Sequence, residues 1–181
     1  FSGVSELSGV SDASGVSGFS VSCVLSSAIT GAIITHYENA FAAIPILVSF
    51  IPMIMGTGGN CGSQSSTLII RGMAMDEIGL KDFAKAVWKE IRVALLVGLV
   101  LAICNAIRVI VQYQDIKLAI VLGLTLIGTV CLAKTLGCVL PMLAKKLKLD
   151  PAIMASPLIT TIVDTCSILI YFAIAVSIMN I

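Results

Sequence analysis

Residues 118–143, LAIVLGLTLIGTVCLAKTLGCVLPML, hold a single charged side chain, Lys134. As a helix rising 1.5 Å per residue, such a run covers the roughly 30 Å hydrocarbon core of a bilayer. Inside lipid every backbone N–H and C=O must find its partner within the protein, so only helices and closed barrels remain. The apolar residues run on without the strict alternation of a barrel strand, which leaves helices. Five segments are long enough to cross, at about 19–37, 40–70, 91–113, 118–144 and 151–179. The first is the weakest because serines dilute it. The expectation is an all-α membrane protein with five transmembrane helices per chain. A chain that is 58% hydrophobic and 12% charged has too little charge to coat a soluble domain.

Charges in the connections set the orientation. Arg71, Lys81, Lys85, Lys89 and Arg92 follow the second span, and Lys145, Lys146 and Lys148 follow the fourth. The opposite connections carry Arg108 and Lys117 with Glu38 and Asp115. This asymmetry puts the N-terminus in the cytoplasm and the C-terminus outside a multi-pass cell-membrane protein. Trp88 sits where an interfacial aromatic belongs. The segment RGMAMDEIGLKDFAKAVWKE reads either as an interfacial amphipathic helix or as a solvated linker.

Residues 1–18 differ in kind, with SGVS recurring at positions 2, 8 and 14. They lack the basic start and apolar core of a signal peptide and read as a Ser/Gly-rich lead-in or linker to a pore domain over 19–181. The start at Phe1 suggests a piece of a longer chain. Six cysteines, at 23, 61, 104, 131, 138 and 166, include no CxxC and fall in apolar or Gly-rich surroundings. They read as buried free thiols. A net charge of +1 with no basic patch or stacking platform argues against nucleic acid.

Polar groups inside a span are costly and tend to face a bundle interior or a water-filled path. Two charges read as deep, Asp164 and Lys134. Ser156, Thr160 and Asp164 follow at i, i+4 and i+8, hence on one helix face. Pro157 lacks an N–H and can free the carbonyl of Ile153 and bend the helix. The stripe therefore offers hard oxygen donors, suited to Mg²⁺ or Ca²⁺. The alternative for Asp164 is a structural ion pair with Lys134. In the second span, IPMIMGTGGNCGSQSST carries Gly56, Gly58, Gly59 and Gly62 among Asn60, Ser63, Gln64, Ser65 and Ser66. The glycines allow either departure from helical geometry or close helix packing. The amide and hydroxyl groups favour a pore lining, with Gly59, Asn60, Ser63 and Gln64 on it. Asp150 stands beside Lys145, Lys146 and Lys148, as a cytoplasmic-mouth acid or as the N-cap of a helix beginning at Pro151.

FIPMIMGTGGNCGSQSSTLIIRGMA and DPAIMASPLITTIVDTCSILIYF resemble signature segments of the MgtE family of magnesium channels. The likeness runs from about residue 40 to the C-terminus. It implies a homodimer in the lipid bilayer whose pore is lined by the second and fifth spans of both copies. It further implies a hydrated Mg²⁺, the transported ion, between the two copies of Asp164, with oxygens at Ser156, Thr160 and Gly56 holding its water shell. A cytoplasmic regulatory domain is expected in the full-length chain, outside these residues.

Other readings are an Mg²⁺ exchanger coupled to a counter-ion and a broader divalent-cation channel. An intramembrane aspartyl protease would need two carboxylates in one site, and a purely structural subunit would leave Asp164 and the polar knot unused. The expectation is a transport protein and not an enzyme.

Overall fold

The computed structural model describes residues 24, 27–37, 45–79, 82–148 and 157–179. The repeats over 1–18, Asp150, Pro151 and Ser156 lie outside the described residues. The helices are α1 (27–36), α2 (Ile51–Ala74), α3 (Phe83–Tyr113), α4 (Ile116–Lys146) and α5 (Pro157–Met179), with a 3-10 turn at Pro45–Phe50 running into α2. Among the described residues, four helical stretches are long and apolar enough to cross a membrane: Pro45–Ala74, Phe83–Tyr113, Ile116–Lys146 and Leu158–Met179. They correspond to the second through fifth spans expected from sequence.

Each boundary has a local cause. Pro52 sits in the first turn of α2, where a missing N–H costs nothing. Gln114, in the left-handed conformation at φ 54°, ends α3. Asp115 then caps α4, its Oδ1 accepting from the N–H of Lys117 at 2.9 Å and of Leu118 at 3.2 Å. The two helices thus form a tight antiparallel hairpin, and the Asp115 counted above as a loop charge is a cap. The segment expected to be a loop or an interfacial helix divides differently. Residues 75–79 turn, and Phe83–Arg92 form the first turns of the spanning helix itself. Ala, Lys, Glu and Arg there are strong helix formers, so the charges do not interrupt it.

α4 is the central element, packed on α2, α3 and α5, and α2 also packs on α5. The inner stripe of α3, Glu90, Ala94, Gly98, Ala102, Asn105 and Val109, recurs every three or four residues and is mostly small. Small residues let helix backbones approach closely in lipid. Its outer face is large and apolar, with Leu96 and Val111 exposed at 68% and 76%, as suits contact with acyl chains. At one end Leu47, Phe50, Ile54, Leu122, Tyr171 and Phe172 form a buried cluster, and the Tyr171 hydroxyl donates to the Leu47 carbonyl at 2.9 Å. α1 is tied to α5 by the stack of Tyr37 on Phe172, 4.8 Å between centroids.

The glycines of α2 do not break it. The helix is continuous from Ile51 to Ala74, and the missing Cβ atoms serve contact with neighbours. A Cβ on Gly137 of α4 would collide with the carbonyl oxygen of Gly62, and one on Gly58 would lie 2.9 Å from Ser167 Oγ, Thr129 Cγ2 and Val163 Cγ1. Gly137→Val is therefore expected to force α2 and α4 apart and lower stability by about 1–3 kcal/mol or more. Gly56→Ala meets nothing within 4 Å and should unfold slightly above the wild-type temperature, with about 1 kcal/mol gained in helix propensity. Thermal unfolding of the two variants in detergent checks this contrast.

The described cysteines are free. Cys61 and Cys138 are buried as expected, whereas Cys104 is exposed on α3.

Candidate functional site

Helical geometry sorts the polar knot of α2 onto two faces. Gly58, Cys61, Gly62, Ser65 and Ser66 point inward and are buried. Gly56, Asn60 and Gln64 recur at i, i+4 and i+8 on an exposed face, with Ser63 half-buried beside them. The threonines of this helix are occupied locally: Thr57 donates to the Met53 carbonyl at 2.7 Å and Thr67 to the Ser63 carbonyl at 2.9 Å. Asn60 and Gln64 have no hydrogen-bond partner among the described residues. Exposed amides on a spanning helix need water or another protein surface against them. Cys61, whose direction the sequence left open, faces the interior at 8% exposure.

Gly59 marks where this helix meets α5. A Cβ there would lie in ordinary contact, 3.4 Å from Asp164 Oδ1 and 3.5 Å from Thr160 Cγ2, which puts the α5 stripe directly against α2. Thr160 and Asp164 share one face, as the i, i+4 spacing required. Ser156, the third member of the stripe, and Asp150 lie outside the described residues. Pro157 opens the described part of α5, and Ile153, whose carbonyl it was expected to free, lies outside the described residues.

Asp164 is half-buried, and its Oδ1 is fully enclosed without a hydrogen-bond partner among the described residues. A carboxylate oxygen withdrawn from water without compensation is costly. Beside it opens a cleft of about 410 Å³ lined by Ser27, Thr30, Gly31 and Ile34 of α1, Met55 of α2, and Thr160, Thr161 and Asp164 of α5. Thr30 Oγ1, also buried, has no partner among the described residues. The oxygen-bearing side chains of this cleft are the hydroxyls of Ser27, Thr30, Thr160 and Thr161 and the Asp164 carboxylate, all hard donors, set among Gly31, Ile34 and Met55. Among the described residues no group of three His, Cys, Asp or Glu side chains could chelate a metal. The α1 hydroxyls Ser27 and Thr30 were missed from sequence. Their only signal was the serine and threonine content that made the first span look weak.

Lys134 removes the alternative in which Asp164 is held in a structural ion pair. It pairs with Glu90, not Asp164: its Nζ lies 3.4 Å from Glu90 Oε2 and donates to Ser65 Oγ at 3.2 Å, while Ser65 Oγ donates to Glu90 Oε2 at 2.7 Å. All three are buried, at 6%, 8% and 0% exposure. Glu90 had been assigned to a polar connection, yet it heads the small-residue stripe of α3 at i, i+4 and i+8 to Ala94 and Gly98. That register was the available signal. The triad ties α2, α3 and α4 together with no net charge, leaving Asp164 as the uncompensated acid.

The sequence model of the MgtE family, described as a divalent cation transporter, matches residues 51–174. The magnesium transporter MgtE of Bacillus subtilis (strain 168) is 36% identical over 152 residues, covering 84% of this chain and 34% of its own length. That of Thermus thermophilus gives the same values, and that of Enterococcus faecalis is 36% identical over 146 residues, 81% of this chain and 32% of its own. The chain spans about a third of the length of the curated relatives it matches. With the family model covering more than half of the chain, including both α2 and the Asp164 stripe, the chain belongs to the MgtE family of divalent cation transporters, a family of transport proteins and not of enzymes.

Proposed function

We propose that this chain conducts Mg²⁺ across a cell membrane through a pore shared with a second copy, and that Asp164 of each copy binds the hydrated ion. The observation that carries the reading is the enclosed Oδ1 of Asp164, unpartnered among the described residues, against Gly59 of the helix whose exposed face carries Gly56, Asn60 and Gln64. One protomer leaves that face without cover. A second copy related by a twofold axis would enclose a polar path between the two faces. The printed function of the relatives, magnesium transport, supports the choice of ion.

The donor set favours holding the water shell over stripping it. Mg²⁺ dehydrates reluctantly, and neutral hydroxyls and carbonyls hydrogen-bond to bound water without replacing it. An ion with its shell intact would stand roughly 4 Å from the carboxylates, against the roughly 2.1 Å of direct ligation. Thr160, Ser156 and the second lone pair of the Gly56 carbonyl face such a shell in this reading, and Asn60, Ser63 and Gln64 continue the polar lining along α2. Gly59 lies against Thr160 and Asp164 of α5. The charge asymmetry of the connections puts the N-terminus in the cytoplasm, so a negative-inside potential drives a divalent ion inward with about 4.6 kcal/mol per 100 mV, twice the value for one charge.

Two measurements test this. Vesicles containing the purified chain should take up Mg²⁺ down its gradient with no counter-ion gradient; strict dependence on a counter-ion would replace the channel by an exchanger. On a background without native cysteines, single cysteines at 56, 60 and 64 should react with water-soluble thiol reagents and be protected by Mg²⁺. Cysteines at 61, 65 and 66, buried positions that already carry side chains, should be silent. Equal inaccessibility of both sets would remove the pore from this face.

A further inference from the structure

The first turns of α3 carry a second polar feature, unrelated to Asp164. Lys85, Lys89 and Arg92 recur at i, i+4 and i+7, hence on one face of the helix. With Trp88, Val93 and Leu96 they line a shallow cleft of about 390 Å³. All six are exposed, Trp88 at 64%. Two acids lie near in sequence, and neither neutralises the cleft. Glu90 is turned inward, committed to Ser65 and Lys134. Asp82 meets only Lys85, at 3.5 Å on an open surface where such pairs are weak. Among the described residues Lys89 and Arg92 have no ion-pair or hydrogen-bond partner.

The cleft changes character along the helix. Its outer end is cationic, and from Trp88 through Val93 to Leu96 it passes into the apolar face on which Leu95, Leu99 and Val100 are also exposed. A free anion would gain nothing from that apolar continuation. An amphiphile whose anionic group joins acyl chains matches both halves at once. Trp at the interface, with Lys and Arg stems lying along apolar surface and their charges reaching outward, is the arrangement expected at headgroup depth.

We propose that this cleft seats the headgroup of an anionic phospholipid. The Arg92 guanidinium and the Lys89 ammonium hold the phosphate oxygens, Lys85 adds charge at the rim, and Val93 and Leu96 lie along the first acyl carbons. Arg92 offers a planar pair of donors to phosphate, and Lys89 a point charge.

Trp88 is the single tryptophan of the chain and therefore a built-in reporter. The chain is reconstituted into phosphatidylcholine vesicles containing brominated phosphatidylglycerol. The reciprocal vesicles carry brominated phosphatidylcholine, at the same mole fraction, in unlabelled phosphatidylglycerol. Quenching of Trp88 should report a preference for phosphatidylglycerol on the order of tenfold, declining as salt is raised. The combined variant Lys85→Gln, Lys89→Gln and Arg92→Gln should reduce the preference to parity. The charge-conserving set Lys85→Arg, Lys89→Arg and Arg92→Lys should retain most of it. Equal quenching by the two lipids in the unaltered chain overturns the site, as does a preference that survives the Gln variant. Quenching by neither lipid would mean that a protein surface covers the cleft, and equally overturns it.

Discussion

Asp164→Ala and Asp164→Asn are expected to reduce Mg²⁺ flux by on the order of a thousandfold while leaving the protein folded and its dimer intact. The magnitude follows from a lower bound. Even at the dielectric constant of bulk water, a divalent ion about 4 Å from a carboxylate gains about 2 kcal/mol. Two copies then contribute about 4 kcal/mol, roughly three decades of occupancy. The sign of the stability change separates a site from a structural role. Oδ1 of Asp164 is enclosed without a partner among the described residues, so removing the carboxylate relieves an uncompensated desolvation. Both variants should therefore unfold at or above the wild-type temperature in Mg²⁺-free buffer. Added Mg²⁺ should stabilise the wild type more than either variant, because an ion bound only to the native state shifts unfolding by mass action. Flux, unfolding with and without Mg²⁺, and size-exclusion profiles check the three parts. Near-normal uptake by Asp164→Ala would remove the carboxylate from the path.

The order and approximate limits of the spans were legible because lipid demands long apolar runs whatever packs against them. Asp164 was legible for the same reason: a carboxylate surrounded by Ile162, Val163 and Cys166 in sequence has no cheap place in hydrocarbon. Glu90 was not, because it stands among Lys85, Lys89 and Arg92 and so reads as one more charge in a connection. Its register with Ala94 and Gly98 was the one sequence signal that sets it apart from neighbours one residue away that face outward, and its partner Lys134 emerges only from the tertiary structure. The glycines of α2 were ambiguous for another reason. Each carries a helix-propensity penalty of about 1 kcal/mol, which suggests a loosened backbone. Contacts with α4 and α5 outweigh it, using the missing Cβ sideways at Gly58 and Gly62. Which residues of the knot face outward then follows from an unbroken helical period, a fact composition does not contain.

Breaking the Glu90–Lys134–Ser65 triad one member at a time should be among the most destabilising changes outside the glycine contacts. Glu90→Leu leaves a buried ammonium with only the Ser65 hydroxyl, and Lys134→Met leaves a buried carboxylate with the same single partner. Removing one partner of a buried pair costs about 3–5 kcal/mol, most of it the desolvation of the survivor. Removing both charges removes that cost. Glu90→Leu with Lys134→Met should therefore recover most of the loss, and adding Ser65→Ala should complete the recovery by eliminating the hydroxyl that has lost its acceptor. The double-mutant cycle should give a coupling of several kcal/mol, far from additivity. Flux sharpens the test, because the triad faces the α2–α3–α4 interior and the proposed path lies on the opposite face of α2. The recovered variant should conduct Mg²⁺ at close to the wild-type rate per folded dimer. Additive losses in the two single variants would show that Lys134 and Glu90 act apart. A stable double variant that no longer conducts would move the triad from the scaffold into the transport mechanism.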